Sequence, residues 1–255
     1  MGSRKEEEIK HYDQGSREWL QHPAAFEVYR PLTLASYQYC YSLLAKYAQE
    51  KRVLDYGCGN GVHLPYIASI ARFLVGIDLS EPSLEIARQR ITQSPHKEKI
   101  SLQVMDCENL TFPDNSFDVI FDGGTFSSLD FDSACKEIAR VLTPDGCVIG
   151  IETFGHNPLT NLKRRLNKKT GVRTSWATDH ILTEARLEQA KNYFREIRVY
   201  YFHIISWIAL PFLGKPGSTL LLRILEMIDR ILFLLPSLRK YAFKIVFIFS
   251  KPVKL

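Results

Sequence analysis

Residues 53–61, VLDYGCGNG, set three glycines at alternate positions behind a short apolar run that ends in a carboxylate. An apolar run stopped by glycines reads as a buried strand, RVLDYG, and the helical spacing of GVHLPYIASIA behind it reads as the helix of a β-loop-α unit. The same alternation continues outward. FLVGIDLS (73–80) predicts a strand. EPSLEIARQRI (81–91) predicts a helix with Ser80 as its N-cap and Pro82 in its first turn. ISLQVMD (100–106), FDVIFDG (117–123) and CVIGIET (147–153) read as further strands, with SACKEIARVL (133–142) as a helix between the last two. Strands alternating with helices predict right-handed βαβ units and a doubly wound, Rossmann-like, mostly parallel sheet buried on both faces. No internal repeat or low-complexity tract interrupts it.

At 255 residues, 45% of them hydrophobic and 24% charged, the chain is long enough to bury a full core. The five cysteines form no C-x-x-C pair and the start MGSRKEEEIK has no apolar leader, so the expected location is the cytoplasm, with reduced thiols. The lysine and glutamate run at that start reads as a solvated helix beginning. Glu6–Gln49 carries helical periodicity with Tyr12, Trp19, Phe26, Tyr29, Tyr37 and Tyr41, broken at Pro23 and Pro31, and predicts an N-terminal helical cap, residues 1–49. Charge divides the chain: residues 155–255 hold 18 Lys and Arg against 6 Asp and Glu, whereas residues 1–154 are net acidic.

In a doubly wound sheet, ligands bind beyond the carboxyl ends of the strands. The predicted strands end on Asp55 and Gly57, on Asp78, on Asp106 and Cys107, on Asp122, Gly123 and Gly124, and on Glu152. Acids collected at one edge repel one another and serve no core, so they mark a ligand crevice. The glycines are spaced G-x-G-x-G with an acid upstream, not the G-x-G-x-x-G that carries a pyrophosphate at a helix N-terminus. A zwitterionic or cationic ligand suits that charge better than a diphosphate. Asp78, ending the second strand, is placed to accept the two hydroxyls of a ribose.

DYGCGNG, GIDLS, VMDCENLTFPDNSFDVIF and EIARVLTPDGCVIGIE stand in the order and spacing of the class I S-adenosylmethionine-dependent methyltransferases, which residues 50–153 resemble. The resemblance implies a seven-stranded sheet with an S-adenosyl-L-methionine site. In that site Asp55, Gly57 and Gly59 approach the methionine part, Asp78 the ribose, Asp106 and the Cys107 backbone the adenine, and Asp122 and Gly123 the sulfonium, with Cys58 and Leu79 also among the cofactor-binding residues. Tyr12 resembles the aromatic residue that such enzymes fold over the methionine end. No metal is implied.

Methyl transfer from a sulfonium is an in-line displacement with a neutral leaving group, so positioning dominates it, and a base is needed only where the acceptor must lose a proton. Many family members carry histidines after the fourth strand, where this chain has Ser127 and Ser128. The candidate catalytic residues are therefore His156 and the Asp179-His180 pair, with capping of turns and helices as the competing role for both histidines. His63 reads as packing.

Residues 154–255 read as an acceptor-side insert, apolar helices and closing strands within the same domain. The stretch 155–183 resembles the corresponding part of bacterial methyltransferases that modify lipids, glycans or other small molecules. Its cations, Lys163, Arg164, Arg165, Lys168, Lys169 and Arg173, fit either a solvated helix face or an anionic partner. FHIISWIALPFLG (202–214) and STLLLRILEMIDRILFLL (218–235) are nearly all apolar. In the second, Arg223, Glu226, Asp229 and Arg230 make one narrow polar stripe that leaves most of the circumference for burial. No uncharged run reaches the ~18–20 residues of a membrane span. A lid over a greasy acceptor, a membrane-interfacial surface and a subunit interface all remain open for this insert.

The whole predicts a methyltransferase acting on a hydrophobic small molecule or lipid-linked acceptor, peripheral to an anionic membrane on its inner face. The alternatives are a soluble glycan or nucleotide-sugar methyltransferase and a non-catalytic S-adenosylmethionine-binding module. Nucleic acid is not an expected partner, because the cations lie beside aliphatic sequence and accompany no recognised binding module.

Overall fold

Seven runs rich in Val, Ile, Leu, Phe and Tyr hydrogen-bond into one sheet in the computed structural model, which describes residues 2–21, 30–158, 160–162 and 174–254. Pro23, Phe26, Tyr29 and the cations Lys163, Arg164, Arg165, Lys168, Lys169 and Arg173 lie outside the described residues. The strands are β1 (Arg52–Tyr56), β2 (Phe73–Asp78), β3 (Ile100–Val104), β4 (Phe117–Asp122), β5 (Leu142–Thr153), β6 (Phe194–Phe202) and β7 (Lys244–Pro252). The helices include α1 (Gly2–Gln21), α2 (Ala35–Tyr47), α3 (Leu64–Ile70), α4 (Glu81–Ile91), α5 (Phe131–Val141), α6 (Ser175–Asp179), α7 (Glu184–Gln189) and α8 (Ser218–Leu232). The order across the sheet is β3-β2-β1-β4-β5-β7-β6, and β7 alone runs against its neighbours.

Alternation along β1 splits its side chains between two cores. Leu54 and Tyr56 join the layer under α5, with Ile77, Phe126, Ile138 and Phe247. Val53 joins the opposite layer under α2, α3 and α4, with Leu44, Ile67, Leu74 and Ile149. The predicted cap of α4 forms: Ser80 Oγ accepts the Ser83 amide at 3.2 Å with Pro82 in the first turn. Asp130 caps α5 in the same way through the Ser133 amide at 3.0 Å, so that helix starts two residues before the predicted Ser133.

Strand β6 is one of the closing strands expected within 154–255, but the sequence reading does not assign its residues. It pairs only with β7 at the sheet edge and stays half-exposed, so FREIRVYYF lacks the continuous apolar run of the central strands.

The polar stripe of the 218–235 helix is divided rather than solvated as one face. Asp229 is buried and its carboxylate accepts the Ile205 and Ser206 amides at 2.9 and 3.1 Å, while Glu226 accepts the Ala35 amide at 2.8 Å. The acids thus face the protein, and the apolar face that the sequence reading assigns to burial turns outward. Among the described residues no helix is long and apolar enough to cross a membrane.

Candidate active site

Strand order reverses between β1 and β4, and the crevice lies at the carboxyl ends of these strands and of β2. Its floor is the loop after β1. Gly57 has φ +71°, and a Cβ there would stand 2.4 Å from Thr125 Oγ1. Gly59, at φ +50°, has open space where its Cβ would be. The first glycine is required by packing against the β4 loop; the second leaves backbone bare to whatever enters. Across the loop, Asp78 accepts the Gly59 amide on Oδ2 and the Ser80 amide on Oδ1, both at 2.9 Å. Burial pushes Asp78 up, and those amides offset it in part.

Acids surround this floor. Asp106, beyond the end of β3, accepts the Glu108 amide at 2.9 Å. Asp55 and Asp122 are buried beneath the lining loops, and each has one carboxylate oxygen with no hydrogen-bond partner among the described residues. Burial, reinforced by the Asp78 charge, pushes Asp55 up to about 8. Asp122 is held well above the usual carboxylate range by burial and then by Glu152, although its Oδ1 accepts the Thr125 amide at 2.9 Å. Glu152 itself accepts the Phe126 amide at 2.8 Å and fixes the turn after β4.

One face of α1 closes the crevice. Arg4, Lys5, Glu8, Ile9 and Tyr12 line it, at the i, i+4, i+8 spacing of a helix face. Lys5 Nζ meets Asp106 at 2.5 Å and Glu108 at 3.0 Å, and Arg4 grips both oxygens of Glu108 at 2.6 and 2.7 Å. Asp13 accepts the Ser80 hydroxyl at 2.6 Å, and the Tyr12 and Ser128 hydroxyls meet at 3.0 Å. The charged start is therefore not simply solvated: Glu6 and Glu7 are exposed, but Glu8 is buried, bonded through one oxygen to the Thr174 hydroxyl and, among the described residues, without a partner for the other. The cue available in the sequence was the spacing of Arg4, Lys5, Glu8 and Tyr12 on one side of the helix.

Of the residues expected at the cofactor, Tyr12, Gly57, Gly59, Asp78, Leu79, Asp106, Cys107 and Gly123 line this one crevice. Cys58, also expected there, is not among the lining residues: its amide donates to the Ile77 carbonyl at 2.8 Å and its thiol is buried, which raises its pKa. The histidines separate. His156 Nε2 accepts the Glu184 amide at 3.1 Å and so caps α7. His180 stacks on Trp176 with ring centroids 3.5 Å apart and donates from Nδ1 to the Trp176 carbonyl at 2.9 Å. Asp179 is exposed and is not the partner of that nitrogen. The Arg4 guanidinium lies 4.7 Å from the centre of the Trp176 ring, and α6 packs against the turn Phe126–Ser128, so the His180 stack stands one residue behind the crevice wall. His63 is buried against Tyr37, Tyr41 and Phe121 and held neutral, at about 4, chiefly by burial.

Residues 54–150 match the model of a methyltransferase domain family. They form a class I S-adenosylmethionine-dependent methyltransferase domain. The domain's relatives include a demethylmenaquinone methyltransferase of Symbiobacterium thermophilum, 38% identical over 104 residues, 39% of this chain and 41% of that protein. A phosphatidylethanolamine N-methyltransferase of Cereibacter sphaeroides is 29% identical over 148 residues, 55% of this chain and 72% of its own length. The chain spans less than half the length of the demethylmenaquinone and ubiquinone methyltransferases that it matches. Among solved structures, the Haemonchus contortus phosphoethanolamine N-methyltransferase 2 bound to phosphomonomethylethanolamine and S-adenosylhomocysteine has TM-score 0.59 at 21% identity, covering 85% of this chain and 53% of that one. That likeness is one of fold. The methyltransferase domain takes S-adenosylmethionine as its cofactor, and the residues present fit such a group: a bare glycine backbone, a strand-end carboxylate held by amides, and buried carboxylate oxygens without donors beside the loops where a cationic ligand would lie.

Proposed function

We propose that the chain transfers a methyl group from S-adenosylmethionine to a hydrophobic small-molecule or lipid-linked acceptor, working at the cytoplasmic face of a membrane. The observation that carries the reading is the crevice, in which a glycine floor, the acids Asp78 and Asp106 and a closing helix meet at the switch point of the sheet. The cofactor supplies an electrophilic methyl on a sulfonium; the chain binds and orients. Asp78 holds the ribose through oxygens whose remaining lone pairs the Gly59 and Ser80 amides leave open. Asp106 and the Cys107 backbone take the adenine edge. Asp55, Gly57, Gly59 and Tyr12 hold the methionine end, and Asp122 with Gly123 borders the reacting centre. Closure by α1 excludes water from it.

For an oxygen or nitrogen acceptor that reaches past the crevice wall to the Trp176 stack, His180 is the candidate base. Its Nδ1 proton is fixed on the Trp176 carbonyl, so the neutral ring presents Nε2 as the acceptor. His156 is occupied as a helix cap. The relatives' names support a lipid-type acceptor: they are methyltransferases of demethylmenaquinone and of phosphatidylethanolamine. An untargeted comparison of metabolites and lipids from cells producing the active chain and cells producing its Asp78→Ala variant tests the reading. The expected result is an apolar compound paired with a product one methylene heavier only in the first; a pair confined to water-soluble sugars or nucleotides overturns the acceptor class.

A further inference from the structure

We infer that the outward face of α8, together with the turn Ser206–Phe212 beside it, seats the protein on an anionic lipid bilayer. Leu220, Ile224, Met227 and Ile231 follow one another at i, i+4, i+7 and i+11 and are exposed by 65, 44, 57 and 60%. Leu234 and Leu235 extend the row, and Ile208 and Phe212 adjoin it. An apolar surface this continuous is uncommon on a protein that meets only water. The fold does not need it: α8 is fastened by its other side, where Leu222 is buried, Leu225 packs on the core, and Glu226 and Asp229 hold the Ala35, Ile205 and Ser206 amides.

Charge selects the partner. With both acids of the helix turned inward, the charged residues that flank the apolar row, among the described residues, are cations. Arg223 and Arg230, two turns apart, run along one edge, with Lys215 before the helix and Arg239 and Lys240 after it. All are exposed, and none forms a salt bridge among the described residues. A second copy meeting this face about a two-fold axis would bring the same arginines together with no acid to meet them. A bilayer with anionic headgroups offers hydrocarbon to the row and negative charge to its edge.

Position agrees with the chemistry. The end of β6, Phe202, pairs with the start of β7, Lys244, which also pairs with Thr153 at the carboxyl end of β5. The 203–243 insert is therefore carried at the end of the sheet where the crevice opens. The inference deepens the proposed function by naming the surface from which the acceptor comes; it rests on that reading for its purpose but not for its evidence.

The test is sedimentation of the full chain with phosphatidylcholine vesicles, with and without phosphatidylglycerol, at low and high salt, alongside calorimetry with S-adenosylhomocysteine. The chain should pellet with the anionic vesicles, and a fraction should persist at high salt, because apolar insertion is not screened. Replacing Leu220, Ile224 and Ile231 by Glu should remove that fraction and weaken binding by ~10-fold or more, with cofactor affinity unchanged. Replacing Arg223 and Arg230 by Glu should remove the preference for anionic vesicles. Binding to neither vesicle, or a dimer in sedimentation velocity that the triple replacement dissociates, overturns the inference. If vesicles bind but S-adenosylhomocysteine does not, the methyltransferase reading fails and the docking surface stands.

Discussion

Asp55 on β1 and Asp122 on β4 end neighbouring parallel strands one step apart, since Asp55 pairs with Phe121 and Tyr56 with Asp122. Each is buried with a carboxylate oxygen that no donor among the described residues meets. Burial is the first cause raising both, and a further acid adds to each: Asp78 for Asp55 and Glu152 for Asp122. A cationic ligand beside these carboxyls would favour their ionised forms, and its binding should then be linked to proton release.

The pH dependence follows. Asp55 has a folded-state pKa of about 8, against ~3.9 for an unfolded carboxyl. Between these values the native state holds a proton that the unfolded chain has lost, so stability is full below the lower value and is lost as pH rises through the upper one. Binding of S-adenosylmethionine, whose ammonium and sulfonium favour the ionised acid, should tighten as pH rises toward 8. Calorimetry in buffers of different ionisation enthalpy should show proton release. Asp55→Asn should reduce that release and flatten the thermal stability of the free protein against pH.

Asp78→Ala should weaken S-adenosylhomocysteine binding by ~1.5–3 kcal/mol, the range for hydrogen bonds to a charged group. Circular dichroism should show the variant folded. Unchanged calorimetric affinity would remove Asp78 from the ribose site.

The two histidines should behave differently. His180→Ala should lower turnover ~10²- to 10⁴-fold, as loss of a general base does, with little change in cofactor affinity. His156→Ala removes the acceptor of the Glu184 amide and should cost ~0.5–1.5 kcal/mol of stability instead, read in urea melts, with turnover preserved. Reversal of the two outcomes would exchange their roles.

Arg4 links α1 to Glu108 and to Trp176. Arg4→Ala should open α1 to limited proteolysis in the free protein, and saturating S-adenosylhomocysteine should restore part of the protection. Equal cleavage of wild type and variant would show that α1 does not close by this contact.

The strands, the glycine loop and the caps of α4 and α5 were legible because their causes are local: apolar period, turn chemistry, and a hydroxyl or carboxylate one turn from an amide. The inward face of α1 was not. Lys5 finds its acid 101 residues away, at Asp106, so the spacing that puts Arg4, Lys5, Glu8 and Tyr12 on one side of the helix does not by itself say that this side faces inward. The amphipathic pattern of 218–235 was legible, but not which side faces the protein. That was decided by the Ala35, Ile205 and Ser206 amides, which draw Glu226 and Asp229 inward. Edge strand β6 escaped because its pattern is diluted by Arg195, Glu196 and Arg198.

The central claim is methyl transfer to an apolar acceptor. Purified chain, incubated with methyl-labelled S-adenosylmethionine and a total lipid extract, should place label in the organic phase, and the Asp78→Ala variant should place far less. Tight binding of S-adenosylhomocysteine with label found only in the aqueous phase, or in no product at all, would contradict it.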